Sequence, residues 1–196
     1  MQCLIHTIAG STRQQFAIRQ SYPHGDDIAV SPVQRPDDFE NVVVVRAFQH
    51  EGPGRDERFA VGSWTAQIAR AEEAGGGTVR VGNLSAKRDI TDVRDTCRAY
   101  ALLLDRSVPA DTYNVATGRS VEIGRVLEIL VGLATCAIEV EPDPARQRPG
   151  GVEHLCGDAS KLQAATGWEP TIPLEQTLAD TLQAARAAAT ERMANA

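Results

Sequence analysis

The sequence predicts an α/β fold with mainly parallel strand pairing. Strand-like segments alternate with helical segments several turns long from residue 41 to 196. Val42–Val45 are four valines in a row, a continuous apolar run that suits a central parallel strand covered on both faces. No internal repeat or low-complexity linker divides the chain.

Residues 1–40 carry no regular pattern. They mix polar residues with Pro23, Pro32 and Pro36, and no helix longer than two turns is expected there. Order begins at "NVVVVRAF" (Asn41–Phe48), where valine, stiff at χ1, favours a strand. Gly52, Pro53 and Gly54 break it. Phe59, Val61, Trp64, Ile68 and Ala71 then fall near helical spacing, and Gly75–Gly77 end that helix. "TVRVGN" and "RDIT" are expected strands. Asp92 is expected to cap the next helix, with Asp95 as a weaker capping-box partner and Val93, Cys97, Tyr100, Ala101 and Leu104 as its apolar stripe. "DTYNVAT" reads as a strand. A helix follows with Ser120 as its cap and Val121, Ile123, Val126, Leu127 and Leu130 facing inward. "AIEVEPDP" is a strand. "DASKLQAATGWEP" is a short helix closed by Gly167, with Trp168 tucked behind, and Pro173 opens the last helix.

Composition narrows the function. A net charge of −6 argues against nucleic acid and membrane surfaces as partners, and aromatics at 5% leave little for base stacking. No apolar run is long enough for a membrane span, and "MQCLIHTIAG" lacks the basic start of a signal peptide, so a cytoplasmic protein is expected. Cys3, Cys97, Cys136 and Cys156 are spread out and read as reduced, mostly buried thiols. His6, His24, His50 and His154 show no metal-ligand spacing. A dinucleotide site needs a glycine-rich turn between strand and helix, and no GxGxxG, GxxGxxG or GxxxxGK[ST] occurs.

Five pieces carry a resemblance in order: "VVVVRAFQHEGPGRDERF", "VGNLSAKRDITDVRDTCRAYALLL", "YNVATGRSVEI", "VEPDPARQRPGGVEHLCGDASKL" and "TGWEPTIPLEQTL". Together they resemble the extended short-chain dehydrogenase/reductase (SDR) family. Within it they are similar to the GDP-mannose 4,6-dehydratase group and its partner GDP-4-keto-6-deoxymannose reductases, with "RDITDVRD" leaning toward the reductase-like members. The resemblance implies an incomplete Rossmann-like (extended SDR) fold. Residues 1–40 would be an irregular remnant of the cofactor-binding half, and 41–196 the C-terminal part with a nucleotide-sugar-binding subdomain. The family oxidises C4 of a GDP-hexose with NADP, eliminates water across C5–C6 and returns the hydride to C6, or reduces the 4-keto product.

That chemistry rests on a Tyr-x-x-x-Lys pair, because a phenol works near neutrality only when a cation favours its anion. Aligned on "AVS", "DIAVSP" places Ile28 at the tyrosine and Pro32 at the lysine, and only residues 33–40 separate it from the strand. Two readings stand, a chance match in an unrelated N-terminus and a catalytic segment with its pair replaced. Both remove the pair, and Tyr22, Tyr100 and Tyr113 have no lysine four residues on. No catalytic residue is therefore assigned, NADP is not expected to bind this chain, and the chain is expected to be inactive alone. The alternative is a non-catalytic GDP-sugar-binding or regulatory module that forms homo- or hetero-oligomers with a full-length relative.

The substrate positions follow from the resemblance. Gln49 stands where the family has the asparagine of "FNH". Ala60 and Val61 would offer backbone contacts, and Asn83 and Leu84 would lie near guanine. Arg88 would meet the diphosphate, which suits a guanidinium fork, and Arg148 would reach the phosphate or ribose. Lys87 is expected to be solvated. The family's ribose-binding acid falls on Gly151, with Glu153 as a candidate replacement, and a lysine of some dehydratases falls on Ser63.

Overall fold

The computed structural model describes residues 3–6, 18–20, 42–105, 107–147 and 151–194. The valine run forms β3 (Val42–Ala47). It lies inside a four-stranded sheet, ordered β2-β1-β3-β7, with β1 at Cys3–His6, β2 at Ile18–Gln20 and β7 at Thr112–Val115. β3 runs parallel to β7 and antiparallel to β1, so its backbone groups are paired on both sides. Two short strands thus occupy part of the stretch that has no regular pattern in sequence. Among the described residues, one face of the valine run is fully covered and the other only partly. Val43, Val45 and Ala47 are buried, whereas Val42 and Val44 are half-buried and Arg46 is exposed. The buried face packs against two helices, α2 (Val93–Leu103) and α4 (Ser160–Thr166).

A second sheet centres on β6 (Lys87–Asp92), parallel to β4 (Gln49–Glu51) and β10 (His154–Leu155) and antiparallel to β8 (Ser120–Glu122). A parallel pair, β5 (Gly77–Val81) with β9 (Ile138–Pro142), lies apart. α1 (Ala60–Ala74), α3 (Ile123–Gly132) and α5 (Leu174–Ala194) pack together against β5 and β6. Two hydrophobic cores result. One joins Val61, Trp64, Ile68, Val79, Leu130 and Leu182; the other joins Val45, Leu103, Tyr113, Leu162 and Trp168.

The helix ends show which local signals win. α1 buries Val61, Trp64, Ile68 and Ala71 as spaced, and stops at Gly75, whose φ of 80° only glycine adopts freely. Asp92 caps α2 by accepting the Arg94 N–H at 2.8 Å. Asp95 is no capping-box partner. It is fully buried, and its carboxylate accepts the Thr171 and Ile172 amides at 2.8 and 2.9 Å. The α2 stripe is correspondingly rotated. Thr96, Ala99 and Leu103 face inward, while Cys97 and Ala101 are exposed. Burying Asp95 turns the apolar Cys97 and Ala101 outward, a trade that polarity alone does not reveal. Ser120 is not a helix cap either. It belongs to β8, where its hydroxyl meets His154 Nε2 at 2.8 Å, and Glu122 takes the N-cap position of α3. α4 closes at Gly167, and Trp168 is buried with its indole N–H on the Asp95 carbonyl at 2.9 Å. The thiols of Cys97, Cys136 and Cys156 are free, as expected, but none is buried: two are exposed and Cys136 is intermediate.

Candidate functional site

Between the two cores lies a cleft of about 680 Å³. Parallel strands end there: β3 delivers Phe48, β4 delivers Gln49 and His50, and the loop after β5 delivers Gly82 and Asn83. α1 points its first turn into the cleft, with Ala60 and Ser63 on the wall. Its N-cap residue, Phe59, offers no side-chain hydrogen bond, and the first turn has no acidic residue. No acidic side chain therefore neutralises the positive end of the helix from its own first turn.

Charge is concentrated in this cleft. Arg55, Arg58, Arg88 and Arg146 line it, and no acidic residue does so among the described residues, although the whole chain carries −6. Each guanidinium has a local anchor. The Arg55 guanidinium carbon lies 3.7 Å over the Phe59 ring. Arg88 donates to the Lys87 carbonyl at 2.7 Å, and Lys87 itself is exposed. Arg146 donates to Ser63 Oγ at 3.0 Å and pairs with Asp143. Its position follows from Gly82, where a Cβ would sit 2.5 Å from the Arg146 carbonyl oxygen. Burial holds His50 below the ordinary histidine range, so its imidazole is neutral near pH 7, with Nδ1 3.2 Å from the Phe48 carbonyl oxygen.

The fold brings Gln49, Ala60, Asn83 and Arg88 to one wall system, together with Gly151 and Ser63. Asn83 Oδ1 is held in a local turn by the Ser85 amide and hydroxyl, at 2.9 and 2.8 Å. Val61 and Leu84 are not on the wall. The Val61 side chain is in the core, so only its backbone is available, and Leu84 packs against that same core. Glu153 uses its carbonyl, not its carboxylate, to accept the Lys87 amide at 2.7 Å. Arg148, and Ile28 and Pro32 of the "DIAVSP" segment, lie outside the described residues. Sequence reasoning missed Arg55, Arg58 and Arg146. Alternation in "PARQR" placed a second arginine two residues before Arg148, which was the available signal.

The family model of GDP-mannose 4,6 dehydratase matches residues 34–181. The chain belongs to the GDP-mannose 4,6 dehydratase family. It is 35% identical over 138 residues to a GDP-6-deoxy-D-mannose reductase of Pseudomonas aeruginosa, covering 70% of this chain and 45% of that protein. It is 33% identical over 131 residues to GDP-mannose 4,6 dehydratase 1 of Arabidopsis thaliana, covering 66% and 36%. The chain thus spans less than half the length of these relatives. Among solved structures it is similar to RMD from Pseudomonas aeruginosa complexed with NADPH, at a TM-score of 0.69 and 31% identity over 74% of this chain and 48% of that one. UDP-glucose 4-epimerase from Thermus thermophilus in complex with NAD gives a TM-score of 0.61 at 30% identity, over 74% and 47%. The fold is therefore the Rossmann-like α/β fold of the extended SDR enzymes.

Members of this family use nicotinamide cofactors, as these neighbours do. Among the described residues, Gly52 and Gly54 between β4 and α1 lack the third glycine of a GxGxxG cradle, because position 57 is Glu57. A Cβ on Gly52 would lie 2.5 Å from the Val93 side chain of α2, whereas one on Gly54 would meet nothing within 4 Å. A Cβ on Gly62 would lie 2.3 Å from the Asp56 carbonyl oxygen, so the loop between β4 and α1 rests on the first turn of that helix. No described helix is long and apolar enough to cross a membrane.

Proposed function

We propose that this chain binds a GDP-sugar in the arginine-lined cleft and carries out no hydride transfer by itself. The cleft carries this reading. A diphosphate needs several cations or oriented amides at once, and Arg88, Arg146, Arg55 and the first turn of α1 converge on one cavity. Its volume suits a ligand of nucleotide-sugar size. Membership of the GDP-mannose 4,6 dehydratase family, and the reductase and dehydratase relatives, support a GDP-linked hexose as the ligand. The missing glycine-rich turn and Tyr-x-x-x-Lys pair support the lack of turnover and of NADP binding.

The test is isothermal titration calorimetry of the purified chain with GDP-mannose, with NADP in parallel. The expected result is a micromolar to low-millimolar dissociation constant for GDP-mannose, weaker at high salt, and no heat with NADP. NADP-dependent conversion of GDP-mannose by the chain alone would overturn the inactivity. Silence toward GDP-mannose would overturn the binding role.

A further inference from the structure

One buried acid beside the cleft has no role in the fold that its surroundings explain. Glu51 ends β4 with its residue only 1% exposed, and it does not reach the cleft wall. Oε1 accepts the Gln49 side-chain N–H at 2.9 Å. Oε2 lies 3.1 Å from Arg55 Nε, yet the two are too far off-axis to hydrogen-bond, and both atoms are buried without another partner. A buried carboxylate with one good hydrogen bond costs stability, and burial pushes its carboxyl above the ordinary range. Sequence places this residue well for contact with the wall. On a strand, positions two apart share a face, so Glu51 lies beside Gln49, and Arg55 follows one turn later.

We infer that Glu51 is a positioning residue that sets the hydrogen-bonding polarity of the cleft. The Arg55 cation 3.1 Å away opposes burial and favours the ionised carboxylate, which only accepts. That carboxylate therefore fixes the Gln49 amide with Nε2 inward, which leaves Oε1 as the acceptor offered to the ligand. The same carboxylate draws Arg55 Nε inward and leaves the terminal guanidinium nitrogens for an anion. Gln49 then reads a group that can donate. A hexose hydroxyl satisfies it; a keto oxygen or a fluorine at the same place does not, and leaves a desolvated acceptor unpaired. The cleft would thus distinguish the hydroxylated sugar from its keto form without any catalytic group taking part.

This inference rests on the GDP-sugar reading, and the experiment separates the two. GDP, GDP-mannose and GDP-mannose analogues with one ring hydroxyl replaced by fluorine are titrated against the wild type, Glu51→Gln and Gln49→Ala. The wild type should bind GDP-mannose more tightly than GDP and lose about tenfold at one fluorinated position. Glu51→Gln, whose own amide can either donate or accept, should keep its affinity for GDP and lose most of that discrimination. Gln49→Ala removes a cleft-wall side chain rather than a buried one, and should lose it as well, which keeps the test valid if Glu51→Gln fails to fold. Full discrimination in Gln49→Ala, or in a folded Glu51→Gln, would overturn the inference. So would a wild type that binds GDP and GDP-mannose equally, with the nucleotide reading intact. Binding of neither ligand would overturn the GDP-sugar reading itself, and this inference with it.

Discussion

Asp95, in the first turn of α2, and Glu51, at the end of β4, are both buried carboxylates, and the protein treats them in opposite ways. Asp95 accepts two backbone amides, the Thr171 hydroxyl at 3.1 Å and the Arg98 guanidinium, while its carbonyl takes the Trp168 indole. It ties α2 to the chain entering α5. Glu51 has one side-chain hydrogen bond and an ill-aligned cation. A saturated buried charge holds structure together; an under-served one beside a cleft is tolerated where it orients something. The location follows the same division. Asp95 lies between elements of the hydrophobic interior, and Glu51 lies behind the wall of the arginine-lined cleft.

This contrast can be broken most directly at Asp95. Asp95→Ala should lower the unfolding free energy by about 3–5 kcal/mol, because buried amides and Arg98 lose their acceptor. Urea denaturation reads it, and a loss under about 1 kcal/mol would equate the two acids. The opposite case is Arg146, a cleft residue with little structural duty. Arg146→Ala should weaken GDP-mannose binding by about 1.5–3 kcal/mol and leave stability within about 0.5 kcal/mol. Glu51→Gln comes next, with a stability change of about 1 kcal/mol or less at neutral pH.

The pH dependence sharpens the point further. Burial raises the Glu51 carboxyl above its ordinary range, so its favourable contribution is present below that range and is lost as pH rises through the raised value. Asp92 behaves oppositely. Burial pushes it up, but hydrogen bonds from Arg94 and Thr177 outweigh burial and hold it below the ordinary range. Its contribution is present above that range and lost as pH falls through the depressed value. The stability of wild type relative to Glu51→Gln should therefore rise on acidification, and that relative to Asp92→Asn should fall. The smallest effect is expected at the exposed Arg125–Glu128 pair, where Arg125→Ala should cost no more than about 0.5 kcal/mol.

Much of the fold is legible in the sequence, because it depends on local signals. The apolar spacing of α1, the Asp92 cap and the glycine stops at 75 and 167 each act within a few residues. What is not legible depends on distant partners. Asp95 reads as a capping-box partner until Thr171 and Ile172 arrive from far along the chain, and Ser120 reads as a cap until β6 pairs with it. The site divides in the same way. Gln49, Ala60, Asn83 and Arg88 could be named from motif resemblance, and the fold does assemble them. Arg146 has only the spacing of "PARQR" to mark it, because its place depends on the backbone of Gly82, and Leu84 could not be excluded until α3 packed beside it.

The contact at Gly62 has a kinetic consequence. The carbonyl oxygens of Arg55 and Asp56 would lie 2.7 and 2.3 Å from a Cβ there, so the loop between β4 and α1 is seated directly on the first helical turn. The loop that carries Arg55 and Arg58 therefore gives up its conformational entropy when the chain folds, before any ligand arrives. Association should then follow a single phase whose rate grows linearly with ligand concentration, without the plateau that a loop-ordering step imposes.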